Sequence, residues 1–330
     1  MNVSANSSPS AWVFALLLSA IMFGSCVKQE EPLKPLPIGE GRLAVHGGSI
    51  WYKISGTAKG TPLVLLHGGP GFSTFYLKPF EDLGDDRQVA RYDQLGGGKS
   101  DKIADTTLFT IEHFVKELDS LRTHLGVRQW HVLGHSWGTI LALEYYRAHP
   151  NRVASLVLGG AVLDVPAFER HVRSLLPTLS KSAQRAVKKA EASGKYDDPE
   201  YEKAINEFYA LYVFRHPVQA DLDSSVATFN QDIYVYMQGP SEFTITGTLK
   251  NYDITSYLPQ VKVPTLFTVG EFDEVGPEIV RSFAAKTPGA RFVQYAGASH
   301  ITTWDARDED VKTVREFLRS VDSLTVRAKF

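Results

Sequence analysis

The pentapeptide Gly134-His135-Ser136-Trp137-Gly138 places a serine between two glycines, directly after an apolar run. A serine on a tight strand-to-helix turn presents its hydroxyl above the edge of a sheet, and the flanking glycines permit the strained backbone and the close approach of the helix. A serine hydroxyl becomes an effective nucleophile only when a base removes its proton. The pattern therefore predicts Ser136 as the nucleophile of an acyl-transfer reaction, with an acid and a base downstream.

Two downstream residues stand where that acid and base are required. Asp273 follows the apolar run TLFTVG, and His300 follows the apolar segment 291–295. The order serine, acid, histidine is typical of hydrolases with a G-x-S-x-G turn, and one helix and one strand fit between the last two residues. We expect Asp273 to orient His300, and His300 to take the proton of Ser136.

Acyl transfer also needs hydrogen-bond donors where negative charge develops on the carbonyl oxygen. The segment HGGPG, residues 67–71, follows the apolar run PLVLL, and its glycines would let the backbone amides approach a substrate. The expected donors are the N–H groups of Gly69 and of Trp137, the residue after the nucleophile. This chemistry requires neither a metal ion nor an organic cofactor, and we expect none.

The elements that must position these residues are indicated by short, continuous apolar runs separated by helical stretches. The runs are residues 62–66, 89–92, 130–134, 156–159 and 265–269. Such runs are typical of strands that are buried on both faces of a parallel sheet. The sequence therefore predicts an α/β fold with a mostly parallel sheet and helices on both of its faces.

The regular alternation stops between about residues 164 and 257, where the sequence is helix-rich and polar. The strand pattern resumes at Val263, as though one sheet had been interrupted. We interpret residues 164–257 as a helical cap inserted after the sixth strand, between a first core part, 41–163, and a second core part, 258–330. A second, independent domain is the less favoured alternative.

The first thirty residues differ in composition from the rest of the chain. The apolar stretch Ala11–Gly24 is short for a membrane span and suits the central region of an export signal. Cys26 is the single cysteine and sits where such a signal would end. Residues 1–26 therefore predict an exported bacterial lipoprotein, periplasmic or on the outer surface, that is tethered to the membrane through lipidated Cys26. An ordinary cleaved signal is the alternative, and residues 27–40 are expected to form a linker.

Composition and charge exclude several classes of protein. The chain has 330 residues, of which 43% are hydrophobic and 22% charged, as is ordinary for a globular enzyme. Its 35 Lys and Arg against 37 Asp and Glu give a formal net charge of −2, so it lacks the basic surface of a nucleic-acid-binding protein. The sequence does not specify an oligomeric state.

Several segments together resemble one known family. The segments HGGPG (67–71), YDQLGGGKS (92–100) and GHSWG (134–138) are similar to those of the proline iminopeptidases, serine aminopeptidases of the α/β-hydrolase fold. The segment MQGPSEFTITG (237–247) is similar to the cap segment of the branch that includes the tricorn-interacting aminopeptidase. The resemblance extends over roughly residues 42–321 and implies an α/β-hydrolase fold. It also implies release of an N-terminal residue, preferentially proline, from short peptides.

The same resemblance implies which residues hold the free amino terminus of the substrate. By their positions in the motifs, Glu242 and Glu274 would be the anchors, and Tyr234 would line the pocket. A protonated amine in a partly desolvated cleft needs negative partners, and two carboxylates would reject peptides that lack a free terminus. Without the resemblance, both glutamates would be interpreted as solvated surface acids.

Two other functions are compatible with the same candidate residues. A carboxylesterase or lactonase would use Ser136, Asp273 and His300, but its substrate has no need of the two glutamates. A binding protein on an inactive hydrolase scaffold is disfavoured because nucleophile, acid and base are all present. We therefore expect acyl-enzyme hydrolysis of short peptides that carry a free amino terminus.

Overall fold

The computed structural model describes residues 1, 2 and 35–327, and the fold is reported for residues 35–327. The strands of this range are β1 (Gly39–Val45), β2 (Gly48–Ser55), β3 (Leu63–Leu66), β4 (Val89–Asp93), β5 (Trp130–His135), β6 (Val153–Gly159), β7 (Thr265–Gly270) and β8 (Arg291–Tyr295). The helices are α1 (Ile111–His124), α2 (Trp137–Ala148), α3 (Val165–Leu175), α4 (Lys181–Ser193), α5 (Pro199–Tyr212), α6 (Gln219–Thr228), α7 (Gln231–Met237), α8 (Pro277–Lys286), α9 (Thr302–Asp305) and α10 (Arg307–Arg327).

All eight strands belong to one sheet, in the order β1-β2-β4-β3-β5-β6-β7-β8. The pairs β1/β2 and β2/β4 are antiparallel, and every other neighbouring pair is parallel. All residues of β3, β4, β5 and β7 are buried, which explains why these strands are largely apolar, although β4 also buries Arg91 and Asp93. The mostly parallel sheet predicted from those runs is therefore present.

The connections on either side of β3 explain how distant segments meet. From β3 the chain passes to β4 on one side, and it later returns to β5 on the other side of β3. Strands β3 and β5 are parallel neighbours, with Leu66 paired to Gly134. The loops that follow them, residues 67–71 and the turn at Ser136, therefore leave the same edge of the sheet side by side. In open α/β sheets a crevice forms at such a change in winding direction.

The hairpin of β1 and β2 was not among the predicted strands. Side chains of β1 alternate between half-buried and exposed, because this strand lies at the edge of the sheet. The turn between the two strands uses Gly47, whose φ of +94° is unfavourable for other residues. Strand β1 already begins at Gly39, inside the segment 27–40 that was predicted as a linker.

Helices α3 to α7 lie between β6 and β7, and we call residues 164–257 the insertion. Asp164 caps the start of α3, where its side chain accepts a hydrogen bond from the N–H of Ala167 at 2.8 Å. The sheet continues directly from β6 to β7, which are paired in parallel from Leu156 and Thr265 onward. The insertion therefore leaves the sheet uninterrupted.

The predicted export signal, residues 1–26, and Cys26 itself lie outside the described residues, apart from the first two positions. Within residues 35–327, no helix has both the length and the apolar character needed to cross a membrane.

Candidate active site

Ser136 occupies the turn between β5 and α2 with φ of 55°, the single non-glycine residue with positive φ in the described part of the chain. The two flanking glycines are required by close backbone approaches. A Cβ on Gly134 would lie 2.1 Å from the carbonyl oxygen of Gly138, and a Cβ on Gly138 would lie 2.3 Å from that of Leu66. The backbone N–H of Ser136 donates to the carbonyl oxygen of Gly159 at 2.9 Å, which fixes the strained turn against β6.

The structure brings Asp273 and His300 together. The Nδ1 of His300 lies 2.8 Å from the Oδ1 of Asp273, which also accepts the N–H of Val275 at 2.9 Å. An ionised carboxylate can only accept, so Nδ1 carries a hydrogen and Nε2 is left to accept a proton. Gly160 packs on this pair: a Cβ there would lie 2.6 Å from Cε1 of the imidazole. The imidazole is therefore held by the hydrogen bond of Asp273 at Nδ1 and by the contact with Gly160.

The pKa values of the pair shift in opposite directions. Burial alone would lower the pKa of His300, but the charge and hydrogen bond of Asp273, together with the charge of Glu242, raise it above its usual value. Burial alone would raise the pKa of Asp273, but the charge and hydrogen bond of His300 hold it below its usual value. The carboxylate of Asp273 therefore stabilises the imidazolium form of His300. A general base passes through this form when it takes a proton from the nucleophile.

His135, the residue before the serine, links the two sides of the site. Its Nδ1 lies 3.0 Å from the hydroxyl of Tyr76, which accepts the N–H of Gly68 at 2.8 Å. Its Nε2 lies 2.9 Å from the carbonyl oxygen of His300 and must donate to it, since a carbonyl only accepts. Burial lowers the pKa of His135 to about 3, so the ring is neutral and acts as a fixed connector.

Gln94 anchors the glycine-rich loop to the helix that follows Ser136. The N–H of Gln94 donates to Nε2 of His67 at 2.9 Å, and its side-chain amide donates to the His67 carbonyl at 3.0 Å. Its side-chain oxygen accepts the indole N–H of Trp137 at 2.8 Å. Gly69, with φ of +109°, lines the same cavity as Ser136. The backbone N–H of Trp137 belongs to the first turn of α2, where helix geometry supplies no acceptor.

The two predicted glutamates lie in the same cavity. Glu242 accepts the hydroxyl of Tyr234 at 2.6 Å and the side-chain amide of Gln238 at 3.2 Å. Glu274 is buried, its Oε1 lies 3.8 Å from Nε2 of His300, and its Oε2 has no hydrogen-bond partner. The pKa of Glu242 is raised by burial, and that of Glu274 is raised well above its usual range by burial and by the charges of Glu242 and Asp273. Two carboxyls at such a place favour a positively charged occupant.

The cavity that these residues share has a volume of about 320 Å³. Ser136, His300, Glu242, Glu274, Gly69 and Tyr234 all line it, whereas Trp137 is buried and is not among the lining residues. Much of the remaining wall is aromatic or aliphatic: Phe72, Tyr76, Tyr209, Val213, Phe214, Leu222, Val226, Phe229 and Ile301. A small apolar group that carries a positive charge fits this lining. Among the described residues, no group of three or more His, Cys, Asp and Glu side chains is arranged to hold a metal ion.

Comparisons with known proteins identify the family. A family profile described as alpha/beta hydrolase fold matches residues 61–306. A proline iminopeptidase from Heyndrickxia coagulans is 37% identical, over 86% of this chain and 99% of the relative. One from Saccharolobus solfataricus is 35% identical, over 88% of this chain and 95% of the relative. The crystal structure of a proline iminopeptidase from Mycobacterium smegmatis is 30% identical with a TM-score of 0.80, over 87% of this chain and 100% of that chain. The chain belongs to the proline iminopeptidase family of α/β-hydrolases.

Membership of the proline iminopeptidase family confirms both the resemblance and the α/β-hydrolase fold that were predicted from the sequence. It also corrects the predicted location, an exported lipoprotein anchored to a membrane. Members of this family are typically cytoplasmic, and the relatives above match this chain over nearly their whole length. The interpretation as a lipoprotein was wrong because it rested on an apolar stretch and one cysteine, a compositional pattern of low specificity.

Sequence analysis did not identify the apolar wall of this proline iminopeptidase site. Phe72 follows the HGGPG loop, whereas Tyr209, Phe214 and Phe229 belong to the insertion. Aromatic residues are common on helices that pack into a core, so their types alone do not distinguish a cavity wall from a buried contact. The signal that could have selected Phe72 is its position immediately after the glycine-rich loop.

Proposed function

We propose that this chain is a serine aminopeptidase that releases an N-terminal residue, preferentially proline, from short peptides through an acyl-enzyme intermediate. The observation that carries the proposal is one apolar cavity that contains Ser136 and His300 together with Glu242 and Glu274. A serine hydrolase of uncharged esters needs the first two residues and gains nothing from the buried carboxyls.

Glu242 and Glu274 are proposed to bind the amino terminus of the substrate. Their pKa values are raised by burial, so in the empty site at least one of them is costly to ionise. A primary ammonium group, or the secondary ammonium group of an amino-terminal proline, placed between them offsets that cost and forms charge-assisted hydrogen bonds. Tyr234 holds Glu242 through its hydroxyl and would keep that carboxylate directed at the amine.

The chemical steps follow from the positions of the remaining residues. His300, oriented by Asp273, takes the proton of Ser136 through Nε2, and the serine oxygen attacks the first peptide carbonyl. The N–H groups of Gly69 and Trp137 are proposed to stabilise the oxyanion, the latter aided by the positive end of α2. His300 then protonates the leaving amine, and water hydrolyses the acyl-enzyme.

The insertion is proposed to act as a cap that restricts access. It supplies Glu242, Tyr234 and most of the apolar wall, so a substrate must enter beneath its helices. A folded protein cannot place its amino terminus there unless several residues are unfolded first. Short peptides with a free amino terminus are therefore the proposed substrates.

The alternative of a carboxylesterase or lactonase has weaker support. Solved esterases also resemble this chain, but at 24% identity or less, a likeness that shows the fold alone. An inactive binding protein is disfavoured by the hydrogen bond between Asp273 and His300, which a scaffold without catalysis has no need to keep.

The test compares three substrates: a prolyl arylamide, its N-acetylated form and a short-chain aryl ester. We expect hydrolysis of the prolyl arylamide, loss of that hydrolysis on acetylation, and loss of all activity in Ser136→Ala. Glu274→Gln should lower kcat/KM for the prolyl arylamide by about 10- to 100-fold, because it removes one charged hydrogen-bond acceptor. The same variant should affect the ester much less.

The matched control is Glu278→Gln, since Glu278 is an exposed glutamate a few residues further along the chain. It should retain the wild-type kcat/KM for all three substrates. Efficient cleavage of the ester with no cleavage of the prolyl arylamide would favour the esterase alternative. No hydrolysis of any substrate would favour the inactive binding protein.

A further inference from the structure

The short segment 212–216, which starts at the last residue of α5, contacts both loops that carry charged groups of the site. The carbonyl oxygen of Tyr212 accepts the N–H of His300 at 3.1 Å and the N–H of Glu274 at 3.3 Å. The carbonyl oxygen of Val213 accepts the N–H of Ile301 at 2.8 Å. The backbone that carries the base is therefore fastened to the insertion and not only to the sheet.

The carboxylate of Asp305 forms a second connection between segment 212–216 and the loop that carries His300. Asp305, the last residue of α9, accepts the N–H and the hydroxyl of Ser299 on Oδ2, at 2.8 and 2.5 Å. The same carboxylate accepts the N–H of His216 on Oδ1 at 2.7 Å and the N–H of Arg215 on Oδ2 at 3.4 Å. Asp305 thus joins the residue before His300 to the insertion segment 212–216.

We infer that Asp305 is a positioning residue, which clamps the His300 loop to the insertion and so sets the place of the base relative to the apolar wall. The inference rests on the proposed function in one respect, the role of His300 as the base. Asp305 does not line the cavity and touches no reacting group. Its action would pass through Ser299 on one side and through the backbone of residues 215 and 216 on the other.

The clamp couples two properties of the site that could otherwise vary independently. Val213 and Phe214 form part of the apolar wall, and they lie in the segment that Asp305 holds. His300 lies next to Ser299, the other residue that Asp305 holds. Loss of Asp305 should therefore disturb both the binding of the substrate's apolar group and the reactivity of Ser136.

The test uses two variants and a control on the full chain. Asp305→Asn leaves one acceptor oxygen in place of two, so the side chain can no longer accept from all of its donors on residues 215, 216 and 299. Ser299→Ala removes one hydrogen bond, on the His300 side, without changing charge. Asp308→Asn is the control, because Asp308 is exposed and pairs only with the neighbouring Arg307 among the described residues. The first readout is the rate at which a fluorophosphonate probe modifies Ser136, which needs the base but no amine-binding site. The second is the kcat and KM of the prolyl arylamide.

We expect Asp305→Asn to slow modification by the probe about 10- to 100-fold, the range that small misplacement of a catalytic group produces. Both kcat and KM for the arylamide should worsen in this variant. Ser299→Ala should lower kcat and leave KM close to that of the wild type. Asp308→Asn should match the wild type throughout.

The pH dependence of the probe reaction separates positioning from simple loss of stability. A looser contact with Asp273 would lower the pKa of His300, so the acid limb of the rate profile should move to lower pH in both variants. Ser299→Ala is the more informative variant, because it removes no charge, and a shift of its acid limb therefore reports the position of His300. The titratable groups that face His300 remain in place in every variant, namely Asp273, Glu242, Glu274 and His135.

Wild-type probe rates and an unshifted acid limb in Ser299→Ala and Asp305→Asn, with only a lower Tm, would overturn the inference. If Asp305→Asn does not fold, Ser299→Ala decides alone. His300→Ala is included to keep the two proposals apart: a wild-type probe rate in that variant would refute the proposed base and not the clamp.

Discussion

The imidazole of His300 lies against Gly160, which offers a direct test of how closely the base must be placed. An added Cβ at this position would lie 2.6 Å from Cε1 and 2.7 Å from Nδ1 of the ring. The φ of Gly160 is +52°, so alanine would also be strained by about 1–2 kcal/mol. Gly160→Ala must therefore displace the imidazole.

We expect Gly160→Ala to reduce kcat about 100-fold, with a modest decrease in Tm. The control is Gly194→Ala at the end of α4, where φ is +67° but a Cβ would meet no atom within 4 Å. That variant should show a similar decrease in Tm and a wild-type kcat. Equal kcat values for the two variants would contradict the close contact at His300.

At the scale of residues, the sequence was informative where chemistry restricts the residue type. Ser136, Asp273 and His300 could be selected because a strained turn, an acid and a base are required in a set order. The structure brings Asp273 and His300 together and places Ser136 and His300 in one cavity. Asp305 could not be selected, because an aspartate near the end of a short helix is common and two of its three partner residues, Arg215 and His216, are distant in sequence and contribute backbone groups.

Helix α6 covers one side of the cavity and is attached to the core by few polar contacts. Leu222 and Val226 of this helix line the cavity. The carboxylate of Asp221 forms an ion pair with Lys78 at 2.5 Å, and the hydroxyl of Ser73 donates to that of Ser225 at 3.4 Å. The ion pair is partly exposed, so its contribution is small and sensitive to salt.

We expect Asp221→Asn to raise KM for the prolyl arylamide about two- to fivefold and to leave kcat close to the wild-type value. A loosened α6 would weaken substrate binding without moving the base. High salt should raise the KM of the wild type in the same direction and have less effect on the variant. Asp223→Asn, on the same helix but exposed, should behave as the wild type does. A fall in kcat in Asp221→Asn would contradict the expectation that α6 affects substrate binding and not the position of the base.

At the scale of elements, burial decided what the sequence could predict. The interior strands are largely apolar because both faces are covered, and their predicted positions agree with β3 to β7 within a few residues. Strand β1 escaped prediction because an edge strand with one exposed face has only a weak alternating pattern. The apolar wall contributed by the insertion could not be predicted, since the orientation of each helix depends on its packing against the sheet.

At the scale of the whole molecule, a buried carboxyl outside the active site influences stability. Glu117 of α1 accepts the N–H of Leu95 at 3.1 Å, and its other oxygen has no partner. Burial raises the pKa of Glu117 from 4.5 to about 8. In the unfolded chain this carboxyl loses its proton near its usual pKa, whereas in the folded protein it keeps the proton up to about pH 8.

Between these two pKa values the folded state binds more protons than the unfolded state, so the free energy of unfolding falls as pH rises. The stability contributed by protonated Glu117 is complete below the unfolded pKa and is lost as pH rises through the folded pKa. Glu117→Gln has no proton to lose. Its Tm should therefore decrease less than the wild-type Tm between about pH 6 and about pH 9. Glu112→Gln, an exposed glutamate on the same helix, should keep the wild-type dependence, and an identical dependence in Glu117→Gln would refute the argument.

The fold and the family were predicted from a few motifs, because the loops after β3 and β5 must adopt one arrangement to form such a site. The location of the protein was predicted wrongly. No packing or chemistry restricts an apolar amino-terminal stretch in the way that a catalytic turn is restricted.

The hydrogen bonds of Tyr212 and Val213 bear on how this enzyme could be re-engineered. The carbonyls of these residues accept hydrogen bonds from the loops of His300 and Glu274, and Val213 also forms part of the apolar wall. Substitutions at Val213 and Phe214 that change substrate selectivity would therefore also disturb these loops and lower kcat. Leu222 and Val226 contact the same cavity from a helix without hydrogen bonds to those loops among the described residues. Directed evolution toward larger amino-terminal residues should begin there, where specificity can change while the catalytic rate is retained.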